Sequence, residues 1–181
     1  MKKTIRLSLS LLIVAAISAL SLGLTDHFTS EVIKNLERQE EIEKQKEIFP
    51  EADDFQLNST DYSNVAPNFE SLYEASKDGK HVGYVCKIVG KGYGGELEVL
   101  IGIDLSGTIT GLRIGQNSET AGIGDKVTKP EFYEQFTGKN VDDFTDSSSA
   151  VDTISGATIS SSSVLRSTVE ACKVFKEAVS Q

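Results

Sequence analysis

A hydroxyl-rich stretch, Val151–Ser163, contains the residues of this 181-residue chain that are best suited to chemistry. From Val164 onward, apolar residues recur at three- and four-residue steps, which predicts an amphipathic helix. The start of a helix has unpaired N–H groups and the positive end of the helix dipole, so it favours an anion. We therefore expect a phosphate near residues 158–161, with the serines after Thr158 forming the helix start that suits it.

The residues before Thr158 leave its hydroxyl accessible. Gly156 and Ala157 carry little or no side chain, so an enzyme could reach the hydroxyl or a bulky group could be attached to it. Asp152 lies six residues earlier and is expected to organise the turn by accepting backbone hydrogen bonds, as aspartate often does. A well-capped surface helix without a ligand explains the same residues, and residue types alone leave both interpretations open.

Two glycine-containing loops are candidates to lie beside this stretch. Residues 91–96, KGYGGE, offer three glycines and an aromatic side chain, and glycine lets a backbone approach a flat ligand closely. Residues 116–127, QNSETAGIGDKV, contain the pair Glu119 and Thr120, with Ile123 expected to be buried between two glycines. A rigid sheet can direct the N–H groups of such a loop toward a ligand, although a plain wide hairpin explains the first loop equally well.

The elements that must position these residues are short strands and helices. Runs rich in β-branched residues predict strands at His81–Val89, Leu97–Ile103 and Thr108–Ile114, joined as an antiparallel meander. Residues 104–107 predict the hairpin turn between the last two strands, and imperfect alternation in the middle strand indicates burial of both its faces. A short helix is predicted at Glu131–Phe136, directly after a proline.

The chain before these strands predicts a charged helix and a polar connection. Residues 30–48 have a thin apolar stripe amid dense charge, which is typical of a stalk helix, and Phe49 and Pro50 are expected to end it. Residues 51–68 are polar and are predicted to form a surface connection with at most one short helical turn.

The N-terminus predicts a membrane segment. Lys2, Lys3 and Arg6 precede an uncharged run, Leu7–Leu24, which is long enough for a thin bilayer at about 1.5 Å rise per residue. Basic residues before the run and acidic sequence after it predict a cytoplasmic N-terminus and an extracytoplasmic domain. A cleaved signal peptide is the alternative, because small residues such as Ala19 lie near a possible cleavage site. We expect a single-pass anchor in the cell (inner) membrane.

Composition excludes several classes of function. A net charge of −9 repels nucleic-acid phosphates, so no nucleic-acid partner is expected. Cys86 and Cys172 are too few to assemble an iron–sulfur cluster or a thiolate zinc site, and His27 and His81 have no partner at metal-ligand spacing, so no metal site is predicted. The two cysteines could form one disulfide in an oxidising compartment or remain buried free thiols.

Three motifs resemble one family. Residues 152–158, DTISGAT, resemble the flavinylation motif D-x-x-(S/T)-G-A-T, in which the last threonine is esterified to the phosphate of FMN. Residues 92–112 resemble the glycine-led hairpin of the same FMN-binding domain, and residues 118–127 resemble its E-T-P-G-L-G loop, with Ala121 and Ile123 replacing proline and leucine. Together with the anchor and the last helix, this resemblance covers nearly the whole chain. It is to the G subunit of the Rnf electron-transport complex and the related C subunit of the sodium-pumping NADH:quinone reductase, and the short length favours the former.

The resemblance implies a fold, a cofactor and a set of site residues. The fold is α+β, with residues 1–29 as cytoplasmic N-terminus and transmembrane anchor, 30–68 as stalk helix and connection, and 69–181 as an extracytoplasmic FMN-binding domain whose antiparallel sheet is flanked by helices. FMN is attached through its phosphoryl group to Thr158, so this residue is an attachment point and not a catalytic residue. The other residues implied to bind the cofactor are Asp152, Ser155, Gly156, Ala157, Glu119, Thr120, Gly122 and Gly124.

The resemblance also implies a role in electron transfer. Electrons passing between ferredoxin and NAD would move through this flavin, coupled to Na⁺ or H⁺ translocation by other subunits. The chain has no nicotinamide-binding motif and no cluster ligands, so it needs integral-membrane and iron–sulfur partner subunits, and a flavin transferase must load it. Two alternatives stay open: an FMN-binding subunit of another extracytoplasmic reductase, and a non-redox membrane-anchored binding module.

Overall fold

The structure is a computed structural model that describes residues 11, 12, 15, 16, 18–20, 29, 39–145 and 151–180. The chain divides into two compact units, Met1–Glu40 and Glu41–Gln181. In the first unit the described residues are helical, and no helix formed by described residues is both long and apolar enough to cross a membrane. Most of the predicted anchor at 7–24, and residues 30–38 of the predicted stalk helix, lie outside the described part of the chain.

The second unit is built on a five-stranded antiparallel sheet in which the strands follow one another in chain order. This arrangement confirms the predicted meander and the α+β class, and its last three strands match the three that the sequence predicted. The strands are β1 (Asp54–Asn58), β2 (Phe69–Lys77), β3 (Lys80–Lys91), β4 (Glu96–Asp104) and β5 (Ile109–Asn117).

The first two strands are absent from the sequence prediction. β1 lies within the segment expected to be a surface connection, and it pairs with β2 at the edge of the sheet. Neither strand contains a β-branched residue, the residue class that favours strands. β1 is also mostly exposed, and its sequence DFQLN is as polar as that of a typical loop. The extended conformation of β1 therefore depends on its pairing with β2 and not on local propensity.

One face of the sheet is covered by the C-terminal helix α3 (Thr158–Val179). The short helix α2 (Pro130–Tyr133) continues as a 3₁₀ turn at Glu134–Phe136, which confirms the predicted short helix. Aliphatic side chains of β4 alternate between the two faces, and both faces are buried, as expected. Leu97, Val99, Ile101 and Ile103 belong to the α3 side of the core, and Leu100 belongs to the other side.

The opposite face is covered by residues 41–48, the helical segment α1 with which this unit begins. Ile48 and the following Phe49 pack on Ala75, Val85 and Leu100, so the helix ends where the sequence predicted. The chain approaches the sheet closely because glycines face it. A Cβ atom on Gly102 would lie 2.5 Å from the Ile48 side chain, and one on Gly111 would lie 3.0 Å from the Ile48 carbonyl oxygen.

A charged cluster on this face ties α1 to the sheet. The ammonium of Lys87 on β3 lies 3.7 Å from Glu41 of α1, 3.2 Å from Glu70 and 3.5 Å from Glu98. Burial disfavours the charge on Lys87, but the three carboxylates outweigh this effect and raise its pKa. The half-buried cluster is therefore satisfied by opposite charges.

The two cysteines are free thiols in the core on the α3 side. Cys86 lies on β3 and Cys172 on α3, and both are buried. Burial raises the pKa of both thiols, that of Cys172 to about 12. Of the two alternatives that the sequence left open, the structure has buried free thiols.

Candidate functional site

Helix α3 begins at Thr158 with no side-chain cap. Ala157 is the N-cap residue, and no side chain of a described residue caps the helix by accepting a hydrogen bond from its first N–H groups. Within the described part of the chain, the N–H groups of residues 158–160 have no hydrogen-bond partner, while the N–H of Ser161 already donates to the Ala157 carbonyl at 2.9 Å. Thr158 itself is exposed. An accessible hydroxyl thus lies at a helix start whose dipole and free donors favour a negative group.

The turn before Thr158 is shaped by Gly156. This residue has a φ of +80°, the left-handed region that glycine adopts without strain, and the N–H of Ala157 donates to the Ile154 carbonyl at 2.9 Å. Ser155 is exposed on the same turn. Asp152 is also exposed; its N–H donates to Gln135 Oε1 at 3.1 Å, but no hydrogen bond between described residues reaches its carboxylate. Within the described residues, the backbone N–H groups of the turn thus make no hydrogen bond to the Asp152 carboxylate, and its organising role stays a prediction.

Three of the serines after Thr158 are buried, so the backbone N–H groups of the helix start, and not these hydroxyls, are available to a phosphate. Ser160, Ser161 and Ser163 are at most 2% exposed. The hydroxyl of Ser161 donates to the Ala157 carbonyl at 2.9 Å and accepts from the N–H of Ile154 at 3.3 Å, so it fastens the preceding turn to the helix. These hydroxyls therefore take part in packing and hydrogen bonds within the protein.

The loop after β5 is internally hydrogen-bonded. The Thr120 carbonyl accepts the N–H groups of Ile123 at 3.1 Å, Gly124 at 3.0 Å and Asp125 at 3.4 Å. The loop therefore does not direct those three N–H groups outward. Gly122 has a φ of +78°, which explains a glycine at this bend. Ile123 is 42% exposed, so the expectation that it is buried is wrong.

The Glu119 carboxylate joins the two glycine loops. Oε1 accepts the N–H of Tyr93 at 3.1 Å, and Oε2 accepts the N–H of Gly94 at 3.2 Å. A Cβ atom on Gly92 or on Gly124 would overlap this carboxylate, at 1.7 and 1.8 Å from its oxygens. The glycines of both loops thus make room for one glutamate side chain.

An open groove of about 350 Å³ lies at the start of α3. Three large side chains that line it are exposed: Tyr93 by 58%, Ile159 by 55% and Ile123 by 42%. Exposed apolar side chains grouped around a concave surface are typical of a ligand site. The aromatic residue of the first loop was a candidate from the sequence, whereas Ile159 was not predicted. The remaining lining residues are Gly156, Ala157, Thr158 and Ser160.

One cation lies beside this site. The Lys126 ammonium would be 3.8 Å from a Cβ atom on Gly156, and Lys126 has no ion-pair partner among the described residues. Lys126 is exposed and belongs to the 3₁₀ segment Gly124–Thr128 that follows the Glu119 loop. Sequence spacing does not reveal this proximity, because thirty positions separate the two residues.

The structure thus brings the predicted site residues into two groups. Thr158, Gly156 and Ala157 line the groove, and Glu119 and Gly124 meet behind the Tyr93 turn. The other predicted residues do not line the groove: Asp152 lines a neighbouring surface depression with Lys126, and Ser155, Thr120 and Gly122 are exposed.

Comparisons with known proteins place this site within a family. Residues 92–173 match the model of the FMN-binding domain family, a span that includes the glycines of both loops and the start of α3. The crystal structure of the C subunit of the Na(+)-translocating NADH-quinone reductase from Parabacteroides distasonis has a similar fold, with a TM-score of 0.54 and 24% identity, covering 72% of this chain and 79% of that one.

Two relatives are similar over nearly their full length. The G subunit of the ion-translocating oxidoreductase complex of Methanosarcina acetivorans is 36% identical over 170 residues, which cover 91% of this chain and 90% of that protein. The G subunit of the Na(+)-translocating ferredoxin:NAD(+) oxidoreductase complex of Acetobacterium woodii is 30% identical, with coverage of 90% and 87%. The chain therefore belongs to the family of G subunits of the ion-translocating oxidoreductase complexes.

Proposed function

We propose that this chain is the electron-carrying flavoprotein subunit of a membrane-bound ferredoxin/NAD oxidoreductase complex that couples electron transfer to Na⁺ or H⁺ translocation. FMN is esterified to Thr158. The observation that carries this proposal is the position of Thr158: an exposed hydroxyl at an uncapped helix start, on an apolar groove, inside the segment that matches an FMN-binding domain. The names of the family members supply the complex and the coupling.

The residues present fit both ends of FMN. The free N–H groups at the start of α3 and the Lys126 ammonium suit a phosphodiester, which keeps one negative charge. Tyr93, Ile123 and Ile159 offer apolar surface to a flat ring system. Gly156 and Ala157 keep the approach to the Thr158 hydroxyl free of bulk.

Each residue then has a defined task. When bound, FMN supplies one- and two-electron transfer, which no side chain of this protein can provide. Thr158 Oγ1 would be the attachment atom: with FAD as the donor, it would lose its proton and replace AMP on the flavin-bearing phosphorus, so that the chain carries FMN and AMP is released. After loading, Thr158 would hold the cofactor in place, and the apolar side chains that line the groove would orient the ring.

The chain acts as one part of a larger assembly. Residues 1–29 anchor it in the cell membrane with a cytoplasmic N-terminus, and the extracytoplasmic flavin domain is the unit Glu41–Gln181, which includes α1 and β1 of the predicted stalk and connection as well as residues 69–181. The proposal rests on the apolar run after basic residues. Integral-membrane and iron–sulfur subunits supply the other redox centres, and a flavin transferase loads Thr158.

The test is covalent labelling in the full-length chain, exported in a cell that also makes a flavin transferase. After denaturing electrophoresis, the wild-type band is expected to fluoresce as flavin, and its mass is expected to increase by one FMN-phosphoryl group. Thr158→Val removes the hydroxyl at nearly constant shape and should abolish both signals. Ser155→Ala, which removes an exposed hydroxyl three residues away, should retain them. A fluorescent Thr158→Val protein would refute the attachment site.

Membership of a complex is tested separately. The wild-type chain, solubilised from membranes in mild detergent, is expected to co-purify with integral-membrane subunits. Purification of a flavinylated chain alone from intact membranes would instead support a stand-alone extracytoplasmic reductase component.

A further inference from the structure

Glu119 occupies an unusual place in the proposed flavin site. Its carboxylate is close to the groove, yet both of its oxygens are engaged by backbone donors, the N–H groups of Tyr93 and Gly94. Glu119 is not among the residues that line the groove, whereas Tyr93 is. The glutamate therefore lies behind the Tyr93 turn and not on the surface that a ligand would touch.

The surrounding residues are arranged to admit this carboxylate. Gly92 and Gly124 each leave space that a Cβ atom would take from it. The φ of Gly92 is not positive, so its backbone conformation does not require glycine, and the three atoms nearest to a Cβ there all belong to Glu119. Position 92 is therefore a glycine because a side chain there would overlap the Glu119 carboxylate.

A second contact ties the same turn to α3. The N–H of Tyr93 also lies 3.4 Å from the hydroxyl oxygen of Ser160, which is buried in the first turn of the helix. The position of Tyr93 is thus fixed relative to the helix start that carries Thr158. Since an ionised carboxylate accepts hydrogen bonds through both oxygens and donates none, glutamate matches a pair of N–H groups that glutamine cannot match.

We propose that Glu119 is a positioning residue that holds Tyr93 against the flavin ring from behind, without touching the flavin. This inference rests on the proposed attachment of FMN to Thr158. A negative carboxylate in direct contact with an anionic cofactor would be unfavourable, whereas a carboxylate that accepts two N–H hydrogen bonds behind an aromatic side chain is compatible with it. Of these two residues, Tyr93 is the one whose side chain contacts the ring.

The test begins with the flavin-free chain, made as full-length Thr158→Val protein in detergent. In its amide NMR spectrum, the Tyr93 and Gly94 proton resonances are expected far downfield, as for donors to a carboxylate. Glu119→Ala should move both upfield, and Glu119→Gln should move at least one of them. This measurement needs no cofactor, so it examines the hydrogen bonds independently of flavin attachment.

The second measurement uses the flavinylated chain. Glu119→Ala should leave the covalent mass increase in place but weaken the visible circular dichroism of the flavin and raise its fluorescence per bound FMN, because the ring loses its aromatic neighbour. Tyr93→Leu should produce the same changes. Combining the two substitutions should add nothing further, since both act through one contact.

Asp104 provides the matched control. Its carboxylate likewise accepts two backbone N–H groups in a hairpin turn, those of Ser106 at 2.8 Å and Thr108 at 2.9 Å, but it does not line the groove. Asp104→Ala should lower stability as Glu119→Ala does while leaving the flavin spectra unchanged.

Three results would overturn the inference, and they are distinguishable. Unchanged flavin spectra in Glu119→Ala would mean that the hydrogen bonds serve stability alone. If Glu119→Ala changed the flavin spectra equally in the wild-type and Tyr93→Leu backgrounds, the glutamate would contact the flavin directly. A wild-type chain without any flavin would refute the proposed function, and this inference with it, even if the amide shifts were as expected.

Discussion

Gly90 of β3 lies so close to Ser167 of α3 that a Cβ atom on the glycine would be 2.7 Å from the serine hydroxyl oxygen. The hydroxyl of Ser163, one helical turn earlier, would be 2.8 Å from the same atom. Helix α3 is therefore packed against the sheet through small residues directly after the turn that carries Thr158. The serines that follow Thr158 contribute to this close packing.

The first prediction concerns this contact. Gly90→Ala overpacks the interface between helix and sheet and should lower the free energy of unfolding by about 1–3 kcal/mol. Urea denaturation of the flavin-free chain measures the change. In a Ser163→Ala/Ser167→Ala background, which removes both hydroxyl oxygens, the penalty should shrink. A penalty of the same size in both backgrounds would argue against the contact as its cause.

The second prediction concerns Gly92. Gly92→Ala displaces the Glu119 carboxylate and should lower the free energy of unfolding by about 1.5–3 kcal/mol, the range for losing hydrogen bonds to a charged group. In a Glu119→Ala background the same substitution should be nearly neutral, because the overlapping atoms are gone. A double-mutant cycle measured by denaturation gives the coupling directly. Additive effects would contradict the geometry of this site.

The third prediction concerns the cation beside Gly156. If Lys126 balances the charge of the phosphodiester, flavinylation should stabilise the wild type more than it stabilises the Lys126→Met variant. The expected difference is only about 0.2–1 kcal/mol, because the Lys126 side chain is exposed. Thermal unfolding of loaded and unloaded chains gives this difference, which should vanish in about 1 M salt, where the Debye length is about 3 Å. Lys129→Met, which alters a nearby lysine, serves as the control and should behave as the wild type does.

The fourth prediction is a dependence of stability on pH. Burial raises the pKa of Cys86 and Cys172 above the ordinary value of 9.0, that of Cys172 to about 12. Below pH 9 both thiols are protonated in the folded and unfolded chains. As pH rises above 9, the unfolded chain loses these protons and the folded chain keeps them, so stability falls, by up to about 1.4 kcal/mol per pH unit for each thiol.

A cysteine-free variant, Cys86→Ala/Cys172→Ala, provides the comparison. Its baseline stability should be lower because of the cavities, but its loss of stability between pH 9 and 10 should be shallower than that of the wild type. Denaturant unfolding under reducing conditions at several pH values measures both slopes. Tyr73, Tyr84 and Lys87, whose pKa values are also raised, are present in both proteins, so the difference between the two slopes comes from the thiols. Identical slopes would mean that the thiols are not buried in the native chain.

The strands that the sequence predicted are those in which side-chain pattern and final environment agree. β4 has aliphatic residues facing both layers, and β3 and β5 border it, so local propensity and tertiary burial favour the same conformation. β1 and β2 lie at one edge and lack β-branched residues. Their conformation depends on pairing partners at a distance, which a local pattern does not contain.

The site was predictable to a similar extent. The position of Thr158 at a helix start followed from the periodicity after it, and Glu119 and Gly124 were indicated by the motif. The tasks of several residues were not predictable, because they depend on contacts that only the folded chain makes. Ser161 bonds back to the preceding turn, and Lys126 lies beside Gly156.

The three hydrogen bonds that converge on the Thr120 carbonyl have a consequence for the thermodynamics of binding. Because the loop already satisfies its own donors, its shape does not depend on a ligand, and little conformational entropy remains to be lost when a ring settles against Ile123. The site is thus preorganised: the free energy of ordering this wall is provided by folding, before any cofactor arrives.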